Sequence, residues 1–272
     1  MATNLESEVK VSDFEYQHGF LARIYQPQGT GPFAAVMDIH GGAWNQSDRL
    51  GNAGLDQAIA AGGILVVAID FHQPPVAGYP DSIADTNLGI RWLKAHAAEF
   101  SGRPETVGLL GTSSGGHMGM LSALRPRDPR YCALTQVHGD ATVKYVVACW
   151  PILDPSARYE MAQQTGKDQL VKFHDAYWGT AEAMSEGNPT RILERGEPVE
   201  RPPVLIIQGT NDANVTPDMA DRFASAYKSR GGSVQLQKYE GMPHGFIGQK
   251  PDAPESDDAV RKIVAFIKEQ SK

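Results

Sequence analysis

The stretch that decides the fold runs Val107-Gly-Leu-Leu-Gly111-Thr-Ser113-Ser-Gly115-Gly-His-Met-Gly-Met-Leu-Ser-Ala-Leu124. Its first part is a short apolar run of the kind that forms a buried strand, and its last part is compatible with a helix. Between them Gly111-Thr-Ser113-Ser-Gly115 satisfies Gly-x-Ser-x-Gly, so the chain is expected to pass from strand to helix through a sharp turn with a serine at its apex. Such a turn strains its central residue, and positions 111 and 115 must be small where backbone and neighbouring strands come close. Ser114 is a competing centre, but it would put Thr112 where the first small residue belongs, so Ser113 is the candidate nucleophile. The helix that follows would aim its amino-terminal partial charge, and the Ser114 amide, at an oxyanion formed beside Ser113. Ordinary glycine-rich loops also carry this pattern, so the flanking sequence has to decide.

On the amino-terminal side, residues 9–16 and 20–26 alternate around Gln17-His18-Gly19 and read as an antiparallel hairpin. Apolar runs at 33–40, 64–70, 107–111, 144–150 and 204–209, bounded by Gly, Pro or Asp, read as parallel strands buried on both faces. A run at 234–239 completes eight. Between them, Ile83, Asn87, Ile90, Leu93 and Ala97 share a helical face, 218–230 supplies another helix, and Ala259, Val260, Ile263, Val264 and Ile267 form a further stripe. The expected class is α/β: a mostly parallel, eight-stranded, doubly wound sheet that opens with a hairpin and forms its sites at the carboxyl ends of the strands. The stretch 154–201 is a long polar insertion between two core strands that carries Tyr159, Phe173, Tyr177 and Trp178. It reads as a small cap within a single domain spanning 1–272.

Three further strand ends carry chemistry. His40-Gly41-Gly42-Ala43-Trp44 is a glycine-rich turn whose Gly42 and Ala43 amides could hold a developing oxyanion. His40 itself reads as an orienting group, since it comes too early in the chain to be the base. After 204–209 comes Thr-Asn-Asp212-Ala-Asn-Val-Thr216-Pro, where Asp212 is placed to accept an N–H from a histidine. Thr216 is the better candidate to cap the helix that begins near Pro217. After 234–239 comes Glu240-Gly-Met-Pro-His244-Gly, and a histidine in that loop can reach across the sheet. His18, His96, His138 and His174 lack such a position, and His117 is expected to pack under the elbow helix. The chain order Ser113, Asp212, His244 is the one expected for a serine nucleophile at this type of elbow. Trp44, Phe71, His72, Trp150 and Trp178, at strand ends or in the insertion, are candidate walls of an apolar pocket.

With 272 residues, 41% of them hydrophobic, the chain can bury one sizeable core. Its 25 basic and 32 acidic residues sum to −7 without a run of like charge, which excludes a nucleic-acid footprint or a polybasic membrane anchor. The acidic opening Met-Ala-Thr-Asn-Leu-Glu-Ser-Glu lacks the basic and apolar parts of a secretory leader, and no apolar run is long enough to span a membrane, so a cytoplasmic location is expected. Cys132 and Cys149 lack metal-ligand spacing and are expected as two reduced core thiols. Neither metal nor cofactor is expected, and the partner is a small acyl substrate. An exposed terminal strand or helix would support a homodimer.

His40–Trp44, the elbow Gly111–Gly116, Asp212 and His244 together resemble the α/β-hydrolase esterases, above all the hormone-sensitive-lipase-like group and the short-chain esterase and arylformamidase-like branch. The resemblance covers nearly the whole chain. Departures are Thr112 in place of the usual elbow aspartate, and Asp70-Phe71-His72-Gln73-Pro74-Pro75, followed by Tyr79-Pro80 and Asp85, where that group has Asp-Tyr-Arg-Leu-Ala-Pro, Phe-Pro and Asp. The large amino-terminal cap of the lipase-like group has no counterpart before the hairpin, which leaves the 154–201 insertion to cover the site. The resemblance implies hydrolysis of a carboxylic ester of small to medium size. It leaves open an amidase or peptidase, as in arylformamidases and acyl-aminoacyl peptidases, and more distantly a ligand-binding protein without catalysis.

Overall fold

Strands buried on both faces need a core on each side, and the inner strands of this chain divide their residues between two. The computed structural model describes residues 9–272. The leader reading rests on residues 1–8, which lie outside the described residues. Strands β1 (Lys10–Gln17), β2 (Phe20–Gln26), β3 (Ala34–Ile39), β4 (Ile64–Ile69), β5 (Gly108–Thr112), β6 (Val146–Cys149), β7 (Val204–Gly209) and β8 (Val234–Tyr239) form one sheet in the order β1-β2-β4-β3-β5-β6-β7-β8. The pairs β1·β2 and β2·β4 are antiparallel and the others parallel, so the hairpin folds onto β4 and the rest is doubly wound.

Helices alternate with these strands: α1 (Ala53–Ala61), α2 (Asp81–His96), α3 (Ser114–Leu124), α4 (Pro155–Gln164), α5 (Asp168–Trp178), α6 (Ala181–Glu186), α7 (Pro189–Glu194), α8 (Pro217–Ser229), α9 (Phe246–Gln249) and α10 (Pro254–Gln270). In β3, Ala35, Met37 and Ile39 join a core with Leu88 of α2, Met118 of α3 and Phe223 of α8. Ala34 and Val36 join the opposite core with Ile59 of α1 and Phe266 of α10. This is the two-residue period of a strand read out as two packed layers.

The stripe expected along α2 is present, but the helix is buried on every side from Ser82 to Leu93. Its polar face is covered by the 126–137 segment, where Asn87 Nδ2 donates to the Pro126 carbonyl and Arg91 Nη2 to that of Leu134, each at hydrogen-bond distance. In α10, Ala259, Ile263 and Ile267 are buried, whereas Val260 and Val264 are half-covered. Cys149 lies buried in β6, but Cys132 is half-buried outside the sheet, its thiol bonded to the Pro126 carbonyl, so only one of the two is a core thiol. No helix among the described residues is long and apolar enough to cross a membrane.

The register sets the site. Ile39 pairs with Gly111, Thr112 with Cys149, Cys149 with Ile207 and Gly209 with Tyr239, so the loops leaving β3, β5, β6, β7 and β8 all emerge at one edge.

Candidate active site

The elbow between β5 and α3 is strained: Ser113 has φ 52° and ψ −115°, outside the regions an L-residue prefers. Hydrogen bonds hold it there, from the Ser113 amide to the Cys149 carbonyl and from the Ile152 amide to the Ser113 carbonyl. The glycines are needed for clearance. A Cβ on Gly115 would stand 1.9 Å from the Ile39 carbonyl oxygen, and one on Gly111 would stand 2.5 Å from that of Gly115. Gly115→Ala must therefore push α3 off β3, and a loss of about 3 kcal/mol in a denaturant titration is the expected cost. Unchanged stability in that variant would show that the close approach is not real.

Opposite the elbow, the turn after β3 runs through three left-handed residues, Gly42 (φ 103°), Ala43 (φ 51°) and Trp44 (φ 64°). The Asn45 and Gln46 amides close it on the Gly42 carbonyl. The amides of Gly42, Ala43 and Ser114 donate to no protein acceptor among the described hydrogen bonds, while Gly42, Ala43 and Ser113 line one cavity. N–H groups without a protein acceptor on the two turns beside a serine suit a developing oxyanion.

Asp212 and His244 come from neighbouring loops that are stitched together. The Thr210 amide bonds the Tyr239 carbonyl, the Asn211 amide that of Met242, and the Gly241 amide the Thr210 hydroxyl. As a result His244 Nδ1 lies 2.7 Å from Asp212 Oδ2, and His244 Nε2 lies 3.1 Å from Ser113 Oγ. Asp212 Oδ1 accepts the amides of Asn214 and Val215, and Gln208 Nε2 donates to Oδ2. Burial alone would push the Asp212 carboxyl up, but the hydrogen bond and charge of His244 and the two amides hold it below its ordinary value. Thr216 occupies the N-cap position of α8 without a side-chain bond, so the expected cap is not made there.

The cavity at the serine is about 940 Å³ and runs between α1, α9 and α10 on one side and α4 and α5 on the other. Of the five residues expected as its walls, only Trp150 lines it, with its ring edge-on to that of His244. Trp44 is fully buried, stacked on Tyr177 and bonded through Nε1 to His117 Nδ1. Trp178 packs beside it, and Phe71 is stacked on His40. His72 bonds the buried Asp85 through both its amide and its Nδ1. Trp44 and Trp178 are buried among the inserted helices and Phe71 against His40, because a large aromatic ring buries more area there than at a solvent-filled wall, whereas His72 stays partly exposed beside Phe20 and Asp85. The residues that do line the cavity include Leu50, Leu55, Ile247, Val260, Phe173 and Arg158. Most lie on helices that approach the sheet edge, a placement that sequence period does not reveal.

Two buried carboxyls lie below the elbow. Asp38 on β3 accepts both bonds of Asn52 Nδ2, and Asn52 Oδ1 in turn accepts the Thr112 hydroxyl. Asp56 is fully buried with neither oxygen bonded. Burial, and for Asp56 also the charge of Asp38, pushes both acids up. An acid whose folded pKa is raised holds its proton after the unfolded chain has lost it, so stability falls as pH rises above about 4. Asp56→Asn removes that loss, and its Tm should exceed the wild type by more at pH 8 than at pH 5. Equal Tm differences at the two pH values would overturn this assignment.

The BD-FAE family model matches residues 23–227. Among curated proteins, the chain is 28% identical over 199 residues to a probable carboxylic ester hydrolase, LipM, of Mycobacterium tuberculosis, covering 71% of this chain and 44% of that protein. It is 26% identical over 228 residues to the esterase LipC of the same organism, covering 80% of this chain and 54% of that one. The chain thus spans about half the length of these relatives. Esterase B of Lactobacillus rhamnosis superposes with a TM-score of 0.84 at 21% identity, covering 98% of this chain and 88% of the other, a likeness of fold.

Proposed function

The chain belongs to the BD-FAE family, and from that premise we propose that it is a serine hydrolase cleaving carboxylic esters of small to medium size through an acyl-enzyme. The observation that carries this reading is the unbroken relay from Asp212 through His244 to Ser113 at the wall of the cavity. Its relatives LipM and LipC, named as ester hydrolases, point the same way.

In the proposed cycle Ser113 Oγ attacks the carbonyl carbon as its proton passes to His244 Nε2, and Asp212 stabilises the resulting imidazolium. The carbonyl oxygen, now negative, takes hydrogen bonds from the Gly42, Ala43 and Ser114 amides. Collapse breaks the bond to the alcohol, which leaves with the proton from His244. Water then repeats the sequence on the acyl-enzyme, giving up its proton to His244 and releasing the acid with Ser113 restored. Helices α4 to α7 act as a cap over this site, with Phe173 and Arg158 reaching the cavity. A panel of p-nitrophenyl esters from acetate to octanoate, run beside the matching anilides, tests the reaction. Turnover of anilides with none of esters would overturn the ester assignment, whereas absence of fluorophosphonate labelling would overturn the serine mechanism.

A further inference from the structure

Arg158 on α4 lines the same cavity as Ser113 and His244 and is buried to all but 1% of its surface. Its hydrogen bonds all go to neutral groups. Nε reaches the Asn214 carbonyl and Oδ1, Nη2 the Asn214 Oδ1, and Nη1 the His174 Nε2. His174 is held uncharged, since burial and the neighbouring guanidinium push its pKa down to about 2. No carboxylate forms an ion pair with Arg158 among the described residues. The charge of Asp212 favours the guanidinium but forms no ion pair with it, and that carboxylate is committed to His244. The acid that lines the cavity, Asp257, is exposed and paired with Arg261. A guanidinium has five N–H donors, and three are engaged here, which leaves one on each terminal nitrogen.

Burying a charge without a partner is costly, and a planar fork with two free donors matches a carboxylate. Asn214, His174 and the Trp44 ring, 6.0 Å from the guanidinium carbon, fix the fork in place. Elsewhere the cavity wall carries apolar side chains, among them Leu50, Leu55, Ile247 and Val260, interspersed with uncharged polar ones such as Gln46, Asn52 and Ser256. We propose that Arg158 is a specificity residue that binds a carboxylate on the substrate, so that the preferred ester carries a negative charge on its acyl or its alcohol part. This rests on the ester-hydrolase reading and narrows its substrate class.

The test compares p-nitrophenyl hemiglutarate with p-nitrophenyl pentanoate for the acyl side, and 4-carboxyphenyl butyrate with 4-carbamoylphenyl butyrate for the alcohol side. In one of the two pairs the wild type should favour the anion by about tenfold or more in kcat/KM, chiefly through KM. In Arg158→Gln that ratio should fall toward one whatever happens to the overall rate, and Arg158→Lys should keep part of it. A merely structural arginine would lower both members of a pair alike. Calorimetric titration of glutarate into wild type and Arg158→Gln gives a readout independent of turnover, with binding expected only in the former. The proposal is overturned if the wild type shows no anion preference in either pair, if Arg158→Gln retains it, or if glutarate binds neither protein or both equally. Failure of the ester reading itself has a different signature: none of the four esters is cleaved and Ser113 is not labelled, while the glutarate titration still decides the subsite.

Discussion

Ser113→Ala should lose about four to six orders of magnitude in kcat on any ester the wild type cleaves, with unfolding midpoint and fluorescence nearly unchanged. The size follows from the arrangement. His244 Nε2, 3.1 Å from Ser113 Oγ, bonds no other hydroxyl among the described residues, and water at the methyl of the alanine would lack the alignment of a bonded nucleophile. What survives is the help of the oxyanion donors, worth roughly a thousandfold over water. Ser114 cannot substitute, because its Oγ is fully buried and bonded to nothing among the described residues. Alanine keeps the Cβ and so tolerates φ 52° no worse than serine, and a large fall in stability would mean that the measured loss is one of folding. A variant that keeps more than a hundredth of wild-type kcat would sink the assignment of nucleophile.

Asp212→Asn should cost about 10⁴ in kcat with little effect on KM, and the local bonding says why. Oδ1 accepts two backbone amides, from Asn214 and Val215, so an asparagine must put its carbonyl there. Its NH₂ then faces His244 Nδ1 and also the donating Nε2 of Gln208. To accept from that NH₂, His244 must carry its proton on Nε2, the nitrogen that has to receive the proton of Ser113. The tautomer is wrong, and the introduced amide and the Gln208 amide, both donors, also repel. Adding Gln208→Glu to Asp212→Asn should relieve the second problem but not the first. Steady-state kinetics on the p-nitrophenyl esters checks both variants, and a loss below about tenfold in the single variant would remove Asp212 from its role.

The sheet and the elbow were legible because each rests on short-range physics. An apolar run bounded by Gly or Pro has few alternatives to a buried strand, and glycine 111 is required by a contact within the turn itself, while glycine 115 is required by β3, the sheet neighbour of β5. Asp212 and His244 could be read from their place after strands, since the register aligns those ends whatever the loops contain. The pocket was not legible in the same way. Trp44, Phe71, His72 and Trp178 have the composition of a binding wall, but whether a ring faces the cavity or the core depends on which helix lies over it. Arg158 carried no signal either. Four residues after Asp154 it reads as a solvated helix position, and only the approach of α5 and the Asn214 loop buries it. The same holds for Asp56, whose acidic place in the first turn of α1 looks like a favourable helix terminus and is instead fully buried.

The burial of Trp44 reaches further than packing. Its indole is clamped by Tyr177, Trp178 and His174 of the inserted helices, and Asn45 Nδ2 is tied to the Phe173 carbonyl. The turn that carries Gly42 and Ala43 is therefore held in its left-handed shape by the inserted helices, two of which also line the cavity. For anyone grafting a cap from a relative to change substrate scope, this segment is not an interchangeable part: a donor that lacks a slot for the indole and a carbonyl for Asn45 would loosen the amides, and turnover would drop even for substrates that fit.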